Sequence, residues 1–584
     1  MVRVKKRRMA GPKKGLRVAL TVPLALLLPV ACGSDEPPQS AASSGLRPPA
    51  MTPSAAAALS TGDPAERAAA VVRTLSDEDL AGQVLMPYAY GADATRVDAA
   101  SAAANQKLGG VNTPGELVAK FHLGGLILVS FAADDPTGAT NPATNVQNPK
   151  QVRTLTAGLQ QAAVKPGGAP LLIGTDQEYG VVTRVRDGVT MLPAAMGFGA
   201  ARQPQLTEAA WQAAGEELAA MGINVDFAPV ADTLGPRGSA VIGSRSFGDD
   251  PKSNAAQVAA AVKGIQSAGI SAALKHFPGH GHTTGDSHDE LPVVAQSRPA
   301  LEKHDWPPFA AGIAAGVGVV MSGHLDVRAV DPGVPATFSH KLMTDVLRGQ
   351  LKFTGVAVTD AMNMAPAMKW PAGVAAVKAL NAGNDILLMP PDIAGARDGI
   401  LAALKDGSLK RERLVEAVTR ILTLKFRNAG TAQPDLATLS SPAHQQAVLA
   451  ADAASITVLR GKCSGPLVTG PVTVTASGGR EVARVNLVKA LQAAGVQVVA
   501  ANGTIIHLVG YGDRQLDLSP TAAVTVVMDT PYLLAAAQSA TLIATYSSSQ
   551  LSLTALANVI AGKAAAPGRS PVAVTGLPRS ACAR

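Results

Sequence analysis

A chain of 584 residues, 47% of them hydrophobic, is long enough for two or three domains with full cores. Its formal charge of +8 gives no case for a nucleic-acid partner. Arg3, Lys5, Lys6, Arg7, Arg8, Lys13, Lys14 and Arg17 account for all of it, and the rest of the chain is neutral.

Residues 1–31 read as an export signal. The basic end is followed by VALTVPLALLLPVA, Val18 to Ala31. This uncharged run is too short to span a bilayer comfortably as a helix and suits a signal-peptide core. Small residues before Cys32 resemble a bacterial lipoprotein signal. Cleavage there would leave Cys32 to carry lipid and hold an exported protein on the extracytoplasmic face of the membrane. Pro29, three positions before the cysteine, departs from that pattern. Residues 32–64 are rich in Pro, Ser and Ala. They bury too little apolar surface to fold and are expected to form a disordered tether. Export permits oxidation, so the remaining cysteines, Cys463 and Cys582, are predicted to form a disulfide.

From 65 to 430 short apolar runs alternate with amphipathic helices. The runs are QVLMPYAY, LGGLILVS, PLLIGTD, INVDFAPVAD, ISAALKHF, GVGVVMSGHLD, GVAVTDAMN and NDILLMPP. Continuous apolar strands between helices imply a parallel sheet covered on both faces, and eight such units fit a (β/α)8 TIM-like barrel. A doubly wound open sheet is the rival, but no glycine-rich phosphate fingerprint follows the first strand. Residues 91–118 and 131–150 are long and polar and read as insertions. A periodic helix, Lys410 to Asn428, closes this unit. A linker is expected over 431–450, then a smaller layered α/β sandwich domain over 451–584. Its strand runs are SITVLR, PVTVTAS, VQVVAAN, TIIHLVGYG, AVTVVMD and TLIATYS.

Barrel enzymes place their working groups where strands end and loops begin. Asp176 ends PLLIGTD, Lys275 and His276 close ISAALKH, and Asp360 ends GVAVTD. The bland alternatives are helix caps for the two aspartates and a solvated strand end for Lys275. The stretch KHFPGHGHTTGDSH, Lys275 to His288, holds four of the chain's 10 histidines. Zinc would need rings fixed on a common face. A glycine-rich loop without a nearby cysteine does not supply that, so neither metal nor other cofactor is expected. Asp286 stands two residues before His288, where its carboxylate can accept the Nδ1 proton and orient the ring for acid/base work.

KHFPGHG, four residues, then DSH resembles the signature of family 3 glycoside hydrolases of the β-N-acetylglucosaminidase type. DQE at Asp176–Glu178, GSRSFG at Gly243–Gly248, PATFSHKLMTDVLRGQLKFTGVAVTDAMNM from Pro335 and AGNDILLMP from Ala382 match in order and approximate spacing. The similarity covers most of residues 70–430, and the unit after 450 is similar to the C-terminal domain of longer members. The resemblance implies Asp360 as nucleophile, His288 as acid/base and Asp286 as its partner. It implies sugar-binding roles for Asp176, Arg184, Arg245, Lys275 and His276. Tyr179 and Val181 stand where members commonly have a Gly and an Arg, so specificity around that loop is open.

The expected activity is that of an exported, retaining exo-β-N-acetylglucosaminidase acting on small saccharides or muropeptides from peptidoglycan. Aromatic residues are only 3%, too few to line a long polysaccharide cleft, which favours single terminal sugars. The alternatives are a β-glucosidase or other β-hexosidase, an N-acetylglucosaminide phosphorylase, and a non-catalytic sugar-binding lipoprotein.

Overall fold

The structure, a computed structural model, describes residues 62–130, 145–236, 238–283 and 285–582. The expected signal segment, Cys32 and nearly all of the tether lie outside the described residues. Each of the eight apolar runs supplies one parallel strand. These are β1 (Leu85–Met86), β2 (Gly125–Ile127), β3 (Leu172–Thr175), β4 (Val225–Asp226), β5 (Ser271–Phe277), β6 (Val319–Ser322), β7 (Val356–Thr359) and β8 (Leu387–Leu388). Strands β2 to β7 pair in sequence order, each parallel to the next. The circle closes through β8. Val358 bridges Ile386, Leu387 pairs with Leu85, and Ile127 N–H donates to Pro87 O at 3.0 Å. All the strand residues are buried, as expected for a sheet enclosed by helices and filled from within.

Two stretches depart from the sequence reading. Residues 91–118, read as an insertion with no element assigned, hold helix Ala99–Gly109 and the start of helix Pro114–Lys120. Asp98 caps the first by accepting from Ala100 N and Ser101 N, both at 2.9 Å. Thr113 and Glu116 form a reciprocal capping box on the second. The first helix is rich in Ala, with Leu108 as its one large apolar side chain, so it carries little apolar periodicity, and only its caps announce it. The expected linker over 431–450 is also partly helical, because Pro442–Ser455 begins inside it. That helix is held on the barrel by His444, which contacts Glu217 at 2.9 Å and Glu216 at 3.1 Å.

The second domain is a five-stranded sheet of β9 (Thr457–Arg460), β10 (Val472–Ala476), β11 (Thr504–Val509), β12 (Val524–Val527) and β13 (Thr541–Ala544). Its order is β9-β13-β12-β11-β10, with only the β9–β13 pair antiparallel. The expected strand VQVVAAN contributes a single bridge, Val498 to Val472. Side-chain alternation splits the sheet into two apolar faces. Val458, Val526 and Ile543 pack beneath helices Glu481–Ala493 and Gln550–Ile560. Leu459, Val527, Leu542 and Ala544 pack against Met196, Val230, Leu234 and Ile242 of the barrel. The barrel thus serves as the second layer of this domain. Cys463 and Cys582 are joined in a disulfide with Cα atoms 5.1 Å apart.

Beneath the N-terminal ends of the strands lies Lys425, on the barrel-closing helix Arg411–Asn428. It is 1% exposed, and its Nζ donates to Gln83 Oε1 at 2.7 Å. Burial lowers its pKa from 10.5 to about 7. The folded value lies below the unfolded one, so the unfolded chain binds the extra proton between them and stability rises with pH across that window. Denaturant melts from pH 7 to 10 should show the difference between wild type and Lys425→Met moving in favour of wild type as pH increases. A flat difference would mean that Lys425 keeps its charge when folded.

Candidate active site

A pocket opens at the C-terminal ends of the barrel strands. It is lined by Asp176, Glu178, Arg184, Arg245, Lys275, His276, His280, Ser287, His288 and Asp360, with Ile127, Val129, Val182, Val241, Met321 and Met364 among its apolar walls. The structure therefore brings seven of the sequence-predicted site residues into one cavity, and the eighth, Asp286, lies directly behind His288.

Asp360 follows β7 and is tied to β6, its N–H donating to Ser322 O at 2.9 Å. Its Oδ1 accepts the Ala361 N–H at 2.8 Å, which leaves Oδ2 for chemistry. The side chain keeps part of its surface open to the pocket. Burial favours the neutral acid, but His276 and His324 outweigh it and hold the carboxyl below the usual aspartate value. His324 is buried beside it. Its Nε2–H donates to Ala361 O at 3.0 Å, and its Nδ1 lies 2.9 Å from the Thr337 hydroxyl. Neither Asp176 nor Asp360 acts as the N-cap of a helix.

The cationic wall is built on buried carboxylates. Lys275 Nζ lies 2.6 Å from Asp176 Oδ1 and 2.5 Å from Glu178 Oε1. Arg245 grips Glu178 with a two-pronged fork, Nε–Oε2 at 2.7 Å and Nη2–Oε1 at 2.9 Å. Burial would raise the Glu178 pKa, but Arg245 and Lys275 bring it to about 2. Arg184 stands 3.5 Å from Asp176, and burial with Arg245 and Arg186 nearby lowers its pKa to about 10. Fixed charges of this kind present a polar ligand with donors and acceptors that need little reorganisation.

The histidine-rich stretch divides its labour. His276 donates Nδ1–H to Asp232 Oδ2 at 2.8 Å, which turns Nε2 toward Arg245 Nη2 at 3.4 Å. His280 is buried between the Thr283 and Ser287 hydroxyls, at 2.6 and 3.2 Å. Burial, then His276, lowers its pKa to about 4, so it braces the loop as a neutral ring. His282 turns to a different partner, Asp305, at 3.0 Å. His288 stands at the rim with its side chain 28% exposed. Its Nδ1 is 2.7 Å from Asp286 Oδ1, which also accepts the His288 backbone N–H at 2.9 Å. Burial opposes ionisation of Asp286, yet its bonds to the His288 backbone and ring hold its carboxyl below the usual value. That partner fixes the Nδ1–H tautomer and leaves Nε2 to exchange a proton with a ligand.

The glycosyl hydrolase family 3 N-terminal domain matches residues 105–424. The chain belongs to glycosyl hydrolase family 3. A family 3 β-N-acetylglucosaminidase structure from Paenibacillus sp. str. FPU-7 aligns with a TM-score of 0.74 at 31% identity, covering 86% of this chain and 99% of that one. Beta-hexosaminidase A of Pseudoalteromonas piscicida is 35% identical over 362 residues, 57% of this chain. The match spans 58% of that relative's own length. The beta-hexosaminidase of Xylella fastidiosa strain M23 is 41% identical over 253 residues, 42% of this chain and 73% of the relative.

Glu178 in this family 3 pocket and Asp232 behind His276 carry more than sequence reasoning assigned them. Glu178 was visible in the DQE motif, and Asp232 closes the run INVDFAPVAD, so the strand-end criterion applied to Asp176 and Asp360 would have found it. The open question at Tyr179 is answered by its position. Tyr179 (φ 64°) turns the short hairpin after β3 and packs edge-on against Trp211, ring centres 5.6 Å apart. It is buried on the helix side and does not line the pocket. A glycine suits that left-handed backbone better, which gives the family's usual residue there a conformational reason.

Proposed function

We propose that this family 3 enzyme is an exported exo-β-N-acetylglucosaminidase that releases terminal N-acetylglucosamine from small peptidoglycan fragments with retention of configuration. The observation that carries the reading is the shared pocket of a partly open, ionised Asp360 and an Asp286-oriented His288. In the first step Asp360 Oδ2 attacks the anomeric carbon while His288 Nε2–H protonates the leaving oxygen. In the second, His288 takes a proton from water as it displaces Asp360. The names of the relatives support the 2-acetamido sugar, and the paucity of stacking rings supports short substrates. Export and a lipid anchor at Cys32 rest on the N-terminal sequence alone.

Aryl β-glycosides with and without the 2-acetamido group, assayed with and without phosphate, test the reading. The N-acetylglucosaminide should be hydrolysed far faster than the glucoside, the first-formed sugar should be the β-anomer by NMR, and phosphate should not divert product to sugar 1-phosphate. Preference for the glucoside, or phosphate-dependent sugar 1-phosphate, would replace it with one of the alternatives.

A further inference from the structure

The loop that leaves β4 carries Asp232, which holds His276, and Arg245, which holds Glu178. Val230, Leu234 and Ile242 of this segment are buried against Val527, Leu534 and Leu542 of the second domain. Arg245 ends a three-residue 3-10 turn, Gly243–Arg245. A turn that short has little stability of its own. On the side facing the second domain, the Ser244 hydroxyl donates to Asp529 Oδ1, two residues past the end of β12. The chain after Asp529 stays on this loop. A Cβ built on Gly243 (φ 46°) would lie 3.5 Å from the Thr530 methyl, and one on Gly238 (φ 67°) would lie 3.0 Å from the Tyr532 hydroxyl.

We propose that Asp529 is a positioning residue for substrate binding: through Ser244 it fixes the turn that aims Arg245 at Glu178 and the sugar. The connection runs from Asp529 to Ser244, then along one peptide unit to Arg245, Glu178 and Lys275. A fork of two hydrogen bonds tolerates little displacement of its base, and small misplacements of binding groups are costly. The second domain thereby belongs to the sugar site without lending it a side chain. This rests on Arg245 being a sugar-binding residue, the role the family resemblance implies, and on the proposed function above.

The test uses Ser244→Ala, Asp529→Ala and Asp529→Asn in the full chain, on the aryl N-acetylglucosaminide. Both alanine variants should raise KM roughly tenfold, as expected for the loss of one buried hydrogen bond, with kcat nearly unchanged. Asp529→Asn should stay near wild type, because its amide oxygen still accepts from Ser244. The double alanine variant should be no worse than either single one. Ser244→Ala removes only a hydroxyl and keeps the test alive if Asp529→Ala misfolds. A KM unchanged in Ser244→Ala, or a fall in Tm without a change in KM, would overturn the proposal while leaving the proposed function standing. Wild-type inactivity toward the N-acetylglucosaminide would remove that function and this inference with it.

Discussion

Asp360→Asn is expected to lower kcat on an aryl N-acetylglucosaminide by roughly 10,000- to 1,000,000-fold, the range seen when a nucleophile or an essential partner is removed from a working enzyme. The amide fills the same space and can still accept the Ala361 N–H that Oδ1 accepts at 2.8 Å, so folding and sugar binding should persist. KM, or the affinity for free N-acetylglucosamine, should therefore change much less than kcat. The lost property is the anionic oxygen, which His276 and His324 stabilise against burial. Because those groups hold the carboxyl below the usual aspartate value of 3.8, the acid limb of kcat/KM assigned to Asp360 should fall below that pH, with the ionised form active above it. A 2-fluoro sugar with a good leaving group, which slows the second step, should label wild type at Asp360 in peptide mass spectra. A kcat within tenfold of wild type in Asp360→Asn would rule this residue out as nucleophile.

Much of this site could be read from the chain because barrel chemistry sits at predictable places. The eight apolar runs mark strands buried on both faces, so their C-terminal ends flag Asp176, Lys275, His276 and Asp360 without coordinates. The helices over 91–120 were hidden for the converse reason. Their sequence is too poor in large apolar side chains to show a period, and only Asp98 and the Thr113–Glu116 pair betray them. The carboxylates behind the cations were harder to assign. Glu178 and Asp232 touch Arg245, Lys275 and His276 across the barrel interior, and such pairings between strands are set by tertiary packing that no local pattern encodes. The same holds for the outer face of the second sheet. Val527 and Leu542 alternate as any buried strand would, and nothing in their spacing says that the barrel, through Met196 of helix Ala195–Ala201 and the loop after β4, covers them.

His288→Ala should show a loss that depends on the leaving group, and this dependence distinguishes a proton donor from a binding residue. On an alkyl or sugar aglycone, whose departing oxygen needs a proton, kcat/KM should fall roughly 100- to 10,000-fold, the usual worth of general acid catalysis. On a dinitrophenyl glycoside the first step needs no acid, so kcat/KM should recover to near wild type. The second step still lacks its base, so kcat should stay low, a burst of phenol should appear and the glycosyl-enzyme should accumulate. Azide needs no deprotonation to attack, so it should restore turnover and yield the β-glycosyl azide. Asp286→Asn should give a smaller loss of the same pattern. The Nδ1 hydrogen bond at 2.7 Å can persist to the amide oxygen, while the charge that stabilises the imidazolium is gone. Equal losses on activated and unactivated substrates, with no azide rescue, would mean that His288 binds the sugar without moving its proton. The acid/base role would then have to be sought in another residue of the pocket.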